Sequence, residues 1–159
     1  MLCICCGNYA ALIRTIGHGV ANTNVGSFLG MNGSITGTHT IGILSYSGDF
    51  QVRPTKVKFY YRYIPEGDDV GVIELKIENE DQDVILYEAT NVVSKTEYQL
   101  YEIPINYMVE NVVATKLTLT LKSGSKHTNV VKAKVRGNGA DEHYGSELYI
   151  DDISLVYDK

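Results

Sequence analysis

The closing segment of the chain, residues 145–158, constrains the fold more than any other stretch. Its sequence, Gly-Ser-Glu-Leu-Tyr-Ile-Asp-Asp-Ile-Ser-Leu-Val-Tyr-Asp, is dominated by the β-branched, aromatic and leucine residues that favour strands. Two adjacent carboxylates, Asp151 and Asp152, interrupt it. A strand buries alternate side chains, and an ionised carboxylate is costly in a core unless it is paired. The segment therefore predicts a strand in the middle of a sheet that must accommodate two charges.

Two geometries accommodate this pair of carboxylates. In the first, a β-bulge shifts the alternation so that the apolar residues on both sides of the pair share one face: Leu148, Ile150, Ile153 and Leu155. In the second, Asp151 points inward together with Tyr149 and Ile153. It then needs a cation, an arginine such as Arg14, or a set of N–H donors. The sequence leaves both geometries open.

The composition predicts a single all-β domain. Fifteen glycines, twelve tyrosines and many threonines, valines and isoleucines, without a long apolar stripe at helical spacing, favour strands. A chain of 159 residues is long enough to bury a core. The net charge of −5, with no block of lysines or arginines, argues against a nucleic-acid or anionic-membrane partner. No stretch approaches the roughly 20 apolar residues that span a bilayer.

The N-terminal segment holds all three cysteines, Cys3, Cys5 and Cys6. The spacing Cys-x-Cys-Cys has no second cluster to match it, so it is a poor framework for zinc or for disulfides. We interpret residues 1–8 as a disordered or truncated segment and expect an export signal upstream of them; a lipid-anchored cysteine is the alternative.

Alternating apolar and polar residues mark the strands. Residues 56–64 predict an amphipathic strand, and residues 70–78 predict its antiparallel hairpin partner after a turn in which Asp68 and Asp69 are interpreted as solvated. Residues 98–107 predict an edge strand, because Pro104 lacks a ladder donor. Residues 115–122, with leucines alternating with threonine and lysine, predict a half-exposed strand.

Two regions carry weaker strand signals. Residues 9–16 predict a strand that ends at Gly17 and Gly19, and residues 17–48 predict loops and short strands. Residues 123–144 predict a long polar connection, with a hairpin arm at residues 130–135 as an option. With about seven or eight strands and no convincing helix, residues 9–159 predict a single jelly-roll β-sandwich of two antiparallel sheets.

Three groups of residues, in their order along the chain, carry a resemblance to a known family. They are Val-Arg-Pro-Thr-Lys-Val-Lys-Phe-Tyr-Tyr-Arg-Tyr-Ile-Pro (52–65), Tyr-Glu-Ile-Pro-Ile-Asn-Tyr (101–107), and Lys-Leu-Thr-Leu-Thr-Leu-Lys-Ser-Gly (116–124) followed by Gly-Ser-Glu-Leu-Tyr-Ile-Asp-Asp (145–152). Ala-Ala-Leu-Ile-Arg-Thr (10–15) adds an early strand. The chain resembles the carbohydrate metabolism domain family of Bacteroidetes.

This resemblance implies a galactose-binding-like jelly roll similar to carbohydrate-binding modules, carried by secreted or surface proteins of glycan-degrading bacteria. Similar modules often hold a structural Ca²⁺ near the closing strand. Asp151 and Asp152 are candidate ligands for it, because this ion prefers oxygen donors.

Tyrosines flanked by charged residues are the candidate carbohydrate-binding groups, because sugars pack their apolar C–H faces on aromatic rings and bond their hydroxyls to polar side chains. Tyr60, with Lys58 and Arg62 on the same strand face, has this chemistry, and Glu74 or Lys76 would lie beside it across the predicted hairpin. The alternative is that the tyrosine packs and the charges are solvated. The long connection offers a second patch: Arg136, His143 and Tyr144.

The sequence therefore favours a non-catalytic carbohydrate-binding or accessory module of a secreted or surface polysaccharide-utilisation system. We expect a glycan or polysaccharide as its partner, together with other domains or surface proteins of that system. The chain would then act outside the cell, in the periplasm or on the outer surface. Two alternatives remain: a glycoside hydrolase-type enzyme, for which no carboxylate pair stands out as acid and base, and a structural or adhesive interaction domain.

Overall fold

The computed structural model describes residues 9–22, 32–50, 53–107, 113–125, 130–134 and 143–157. Within these ranges the chain forms ten strands and no helix, so no described segment is a helix that could cross a membrane. The strands, in chain order, are β1 (Ala11–Asn22), β2 (Asn32–Thr40), β3 (Ile43–Asp49), β4 (Lys56–Ile64), β5 (Gly71–Glu78), β6 (Val84–Val92), β7 (Lys95–Pro104), β8 (Lys116–Lys122), β9 (Val130–Lys134) and β10 (His143–Val156).

The described strands form two antiparallel sheets. The six-stranded sheet has the order β7-β4-β10-β1-β2-β9, and the four-stranded sheet has the order β3-β8-β5-β6. The chain changes sheet between most consecutive strands, for example from β2 to β3, from β3 to β4 and from β4 to β5. Repeated crossing between two facing sheets is typical of a jelly roll. The predicted all-β sandwich is confirmed. The residues predicted as an optional hairpin arm include β9, whose described partner is β2, a strand distant in sequence.

The core lies between the sheets and is built from alternate residues of the central strands. Burial in β4 alternates residue by residue, as the sequence predicts, with Val57, Phe59, Tyr61 and Tyr63 inside. The facing strands and β10 contribute further aliphatic side chains: Ile73, Leu75, Ile77, Leu117, Leu119, Leu121, Leu148 and Ile150. Because alternate residues of β4 point into the core, the residues between them must face outward.

A β-bulge in β10 resolves the conflict posed by the two carboxylates. The pairing of β10 with β4 shifts between Asp151 and Ser154, and Asp152 has a φ of 51°. Aspartate is one of the few non-glycine residues that tolerate this left-handed conformation. The extra residue brings the apolar side chains on both sides to the core: Leu148, Ile150, Ile153 and, partly buried, Leu155. The first of the two predicted geometries is therefore correct.

The strands near the N-terminus are longer than predicted. β1 continues through Gly17 and Gly19 to Asn22, because β2 pairs with it over this whole stretch and β10 pairs with it up to Gly17. Pairing with neighbouring strands here overrides the weak strand propensity of glycine. Much of the region predicted as loops and short strands is accordingly regular strand, in β2 and β3.

The predicted hairpin between residues 56–64 and 70–78 is wrong. β4 lies in the six-stranded sheet between β7 and β10, whereas β5 lies in the four-stranded sheet between β8 and β6. The turn at residues 65–70 therefore carries the chain across the sandwich instead of reversing it within one sheet. Amphipathic alternation identifies a strand but not its partner. The edge position inferred from Pro104 is confirmed, because β7 is the outer strand of its sheet.

Asp69 closes one end of the sandwich and is not the solvated turn residue that the sequence predicts. Its side chain is buried; Ser146 Oγ donates to Oδ2 at 2.8 Å, and the backbone N–H of Ser125 donates to Oδ1 at 2.9 Å. The backbone N–H of Val70 also donates to Oδ1. Hydrogen-bonded in this way, the carboxylate offsets its desolvation and ties the β4–β5 turn to β10 and to the end of β8. A side chain at Gly124 would collide with it.

Candidate functional site

The outer side of the six-stranded sheet carries the tyrosine predicted from sequence. Because Phe59 and Tyr61 point into the core, Tyr60 faces outward between Lys58 and Arg62, and 42% of its surface is exposed. The structure therefore confirms that these three side chains share one strand face. Lys58 is exposed and lies directly across the sheet from Glu102 of β7.

Two neighbouring strands complete the surroundings of Tyr60. In the sheet, Tyr60 is paired with Leu100 of β7 on one side and with Asp151 of β10 on the other. Leu100 is 50% exposed, and Tyr98, two residues away on the same strand, is 41% exposed. Diagonal neighbours on adjacent antiparallel strands are within reach of aromatic side chains. Tyr60 and Tyr98 therefore form one exposed aromatic surface.

Tyr149 of β10 extends this surface toward the middle of the sheet. It is paired with Arg62 across the sheet, and the Arg62 guanidinium carbon lies 5.1 Å from the centre of the Tyr149 ring. The Tyr149 hydroxyl donates to Glu147 Oε2 at 2.8 Å, while Arg14 Nε forms an ion pair with Glu147 Oε1 at 2.8 Å. This chain of contacts fixes the orientation of the Tyr149 ring and holds Arg62 above it.

We call this surface, formed by six side chains of β4, β7 and β10, the tyrosine face: Tyr60, Arg62, Tyr98, Leu100, Tyr149 and Asp151. Two charged groups of the tyrosine face act on the hydroxyl of Tyr98. Burial raises the pKa of the Tyr98 hydroxyl, the Asp151 carboxylate raises it further, and the Arg62 guanidinium lowers it. Burial, followed by the hydrogen-bonded Glu147, likewise raises the pKa of Tyr149. Both hydroxyls therefore stay protonated at neutral pH; Tyr149 donates its proton to Glu147, and Tyr98 can donate its proton to a ligand.

Glu74 does not belong to the tyrosine face, which corrects the grouping predicted from sequence. It lies on β5 of the four-stranded sheet, where Lys122 Nζ donates to its Oε1 at 2.6 Å. Lys76, the other predicted neighbour, pairs there with Glu78 at 3.1 Å. The error follows from the wrong hairpin, since β4 and β5 are not neighbours in a sheet.

The second predicted patch lies mostly outside the residues whose side chains are described. Arg136 falls outside the described ranges, and for His143 and Tyr144 only the backbone is described. That backbone belongs to β10, paired with Gly17 and Ile16 of β1, and not to a long connection. A carbohydrate-binding role for this trio stays a prediction.

The two carboxylates proposed as calcium ligands lie at the bulge. The backbone N–H of Asp152 donates to Asp151 Oδ1 at 2.8 Å, so Asp151 is bonded to an amide while it faces outward, and Arg14 pairs with Glu147 instead. Among the described residues no group of three or more His, Cys, Asp or Glu side chains converges. The calcium site stays a prediction, to be tested by calorimetry with Ca²⁺ and with EDTA.

The alternation in the sequence identifies one strand of the tyrosine face, β4, but not the other two. Tyr98 and Leu100 alternate with the inward-facing Tyr101 and Ile103, so their outward direction was readable. The alternation determines neither the register that places Leu100 beside Tyr60 nor the position of β10 on the other side of β4.

Comparisons with known proteins identify similar folds only. No protein-family model matches the chain and no curated protein matches it, so the resemblance to the Bacteroidetes family stays a prediction. Among solved structures, the carbohydrate-binding module TmCBM61 in complex with β-1,4-galactotriose is 14% identical, with a TM-score of 0.42, over 94% of this chain and 88% of that one.

A family 11 carbohydrate-binding module from Clostridium thermocellum, in complex with a β-1,3-1,4-mixed-linked tetrasaccharide, is 10% identical with a TM-score of 0.41, over 95% of this chain and 85% of that one. The enzymatically active domain of tailspike protein 4 from bacteriophage CBA120 is 9% identical with a TM-score of 0.44, over 92% of this chain and 19% of that one. With TM-scores below 0.5, none of these structures assigns a ligand to this chain.

Proposed function

We propose that this chain is a non-catalytic carbohydrate-binding module and that it binds its glycan on the tyrosine face. The observation that carries the proposal is the pair of partly exposed tyrosine rings, Tyr60 and Tyr98, on adjacent strands. Neighbouring exposed apolar side chains, here joined by Leu100, are typical of a binding surface when they form a contiguous patch. The C–H faces of pyranose rings suit such a surface, since they are apolar and flat.

Polar groups beside the rings supply the hydrogen bonds that a sugar needs. Asp151 lies across the sheet from Tyr60, and Arg62 lies across it from Tyr149. A carboxylate accepts hydrogen bonds from sugar hydroxyls, and a guanidinium donates them to sugar oxygens. Because these groups project from strands of a packed sandwich, their positions are fixed before the ligand arrives, which lowers the entropic cost of binding.

The proposal extends to the setting in which the module works. We infer that it serves a secreted or surface polysaccharide-utilisation system, holding the glycan near other domains or proteins of that system. It would then act outside the cell, in the periplasm or on the outer surface. Cell fractionation followed by immunoblotting tests this part, and a purely cytoplasmic signal would contradict it without affecting glycan binding itself.

A glycan array probed with the purified chain tests the function, with a reducing-sugar assay run on every oligosaccharide that binds. Binding without release of reducing ends supports the proposal. Release of reducing ends would favour the glycoside hydrolase alternative, and silence across a broad array of plant, microbial and animal glycans would favour the structural or adhesive alternative.

A further inference from the structure

The tyrosine face carries charges that are not neutralised by their neighbours. Elsewhere on this side of the sheet, Arg14 pairs with Glu147 and Lys56 pairs with Glu102 at 3.1 Å. Arg62 and Asp151, by contrast, form no ion pair with any described residue. The tyrosine face therefore presents the cation Arg62 and the anion Asp151 on different rows of the sheet, and the exposed Lys58 adds a second cation at its border, on the other side of Tyr60 along β4.

Arg62 is held in place and donates no hydrogen bond to a described residue. Its guanidinium stacks over the Tyr149 ring at 5.1 Å, and that ring is itself fixed by the hydrogen bond to Glu147. The Nε atom is enclosed and has no hydrogen-bond partner among the described residues. A guanidinium offers five N–H donors in a planar fork that matches a carboxylate, and leaving enclosed donors unpaired is unfavourable. The enclosed Nε is out of reach of a ligand, so a ligand carboxylate would bond the terminal Nη donors of this half-buried side chain.

We propose that the glycan bound on the tyrosine face contains uronic acid residues, with one carboxylate held by Arg62 while sugar rings pack on Tyr60 and Tyr98. This inference rests on the proposed function, because it names the ligand class of the same face. A carboxylate of the ligand gains charge-assisted hydrogen bonds from Arg62, which a neutral hydroxymethyl group in the same position does not.

Asp151 limits how much negative charge the ligand carries. Its carboxylate lies on the row next to Arg62, and the exposed Asp152 follows it at the bulge. These two anions repel a densely sulfated chain, while Oδ2 of Asp151 is open to accept a hydroxyl. One carboxylate per sugar, flanked by hydroxyls, suits this arrangement, in which Arg62 lies beside two anions. Uronates have this pattern, whereas heavily sulfated glycans do not.

The test uses an array of matched trisaccharides of the gluco, galacto and manno series, each printed as the neutral sugar and as its uronate, together with heparin oligosaccharides. Binders are then titrated by calorimetry at about 20 and 200 mM NaCl. We expect the uronate of at least one series to bind about tenfold more tightly than its neutral counterpart and to weaken several-fold at the higher salt, since surface charge attraction is screened. The neutral sugar should show no such salt effect.

Substitutions separate the role of Arg62 from general charge. Arg62→Gln should abolish the preference for the uronate, so that the uronate and its neutral counterpart bind with affinities within about twofold of each other, and Arg62→Lys should restore only part of that preference, because lysine lacks the bidentate fork. Lys76→Gln, which removes the same charge from the other sheet, should leave both the affinity for the uronate and the preference for it unchanged. Circular dichroism and the melting temperature confirm that each variant is folded.

The possible outcomes decide between the two proposals. A neutral sugar that binds as well as or better than its uronate overturns the uronate inference and leaves the carbohydrate-binding function standing. Tight binding of heparin oligosaccharides that exceeds uronate binding also overturns it. A folded chain that binds a glycan of the broad array but no member of this one overturns the uronate inference alone, and silence on both arrays overturns both proposals.

Discussion

The two outer faces of the sandwich differ in what their polar groups do. On the four-stranded sheet the polar side chains bond to one another. The hydroxyl oxygens of Ser45 and Thr120 lie 3.2 Å apart, those of Ser47 and Thr118 lie 3.1 Å apart, and Lys122 Nζ donates to Glu74 Oε1. On the six-stranded sheet the tyrosine face leaves Arg62, beside the exposed rings of Tyr60 and Tyr98, without a hydrogen bond among the described residues. An exposed ring alone does not separate the faces, because Tyr87 of the four-stranded sheet is 59% exposed.

The difference between the faces indicates which one binds a ligand. Cross-strand pairs of hydroxyls and opposite charges stabilise a sheet and leave a ligand little to gain, because it would have to break them. Exposed aromatic rings beside a held but unpaired guanidinium offer a ligand both apolar area and hydrogen bonds. Both faces belong to half-buried strands, so the alternation of apolar and polar residues does not distinguish them. What distinguishes them is whether the outward polar side chains form hydrogen bonds or ion pairs with one another.

The largest expected effect separates the two sides of β4 itself. Phe59 is fully buried and its ring lies 5.6 Å from that of Tyr101, whereas Tyr60 next to it faces the ligand surface. Phe59→Ala should lower the free energy of unfolding by about 3–5 kcal/mol, because it leaves a cavity between the sheets. Tyr60→Ala should lower it by less than about 1 kcal/mol. Urea unfolding followed by circular dichroism measures both.

Equal destabilisation by the two β4 variants would mean that Tyr60 serves packing rather than binding. Tyr60 would then not belong to a ligand-binding surface of the six-stranded sheet.

The next effect tests the two faces against each other through exposed tyrosines. Tyr60→Ala and Tyr98→Ala should each weaken glycan binding by about 2 kcal/mol, or roughly 30-fold, as expected when an aromatic anchor of an interface is truncated. Tyr87→Ala is the matched control, because Tyr87 is 59% exposed and is paired with Lys76 on the outer side of the four-stranded sheet. Calorimetric titration of the three variants gives the affinities.

If Tyr87→Ala weakened binding as much as the other two, the ligand would contact the four-stranded sheet and the tyrosine face would not be the site. Unchanged affinity in both Tyr60→Ala and Tyr98→Ala would lead to the same conclusion.

A smaller effect concerns the bulge that turns Asp151 toward the tyrosine face. Asp152 has a φ of 51°, a conformation that alanine adopts only with strain. Asp152→Ala should lower the free energy of unfolding by about 1 kcal/mol, whereas Asp152→Gly should leave it unchanged or raise it slightly, since glycine adopts this conformation freely. Thermal or urea unfolding compares the two variants. Equal stabilities would show that the backbone at this position is not left-handed in solution.

The sequence predicted much of this fold and less of the site. Strict alternation located β4, β5 and β8, and the absent N–H of Pro104 placed β7 at an edge, because these are local properties. The sheet in which β5 lies is decided by non-local pairing, so the hairpin was wrong and Glu74 was grouped with Tyr60. Asp69 was missed for the same reason, since Ser125 and Ser146, which bury it, are distant in sequence.

The smallest expected effect is electrostatic and tests whether Arg62, Asp151 and Tyr98 really lie together. Burial raises the pKa of Tyr98 above 10, Asp151 adds to the increase and Arg62 opposes it. Arg62→Gln should therefore raise this pKa further, and Asp151→Asn should lower it, because a neighbouring anion disfavours the phenolate and a cation favours it. Nuclear magnetic resonance of tyrosine labelled at Cζ follows the titration, with Tyr98→Phe assigning the signal.

Because the raised pKa of Tyr98 means that the folded state favours the neutral phenol, the contribution of this group to stability is present below pH 10 and declines as the pH rises through the pKa of the folded state. Opposite shifts in the two variants would confirm that Arg62 and Asp151 act on the same hydroxyl. A Tyr98 signal that responds to neither substitution would separate β7 from the charged rows of β4 and β10, and the tyrosine face would then be reduced to Tyr60 and Tyr149.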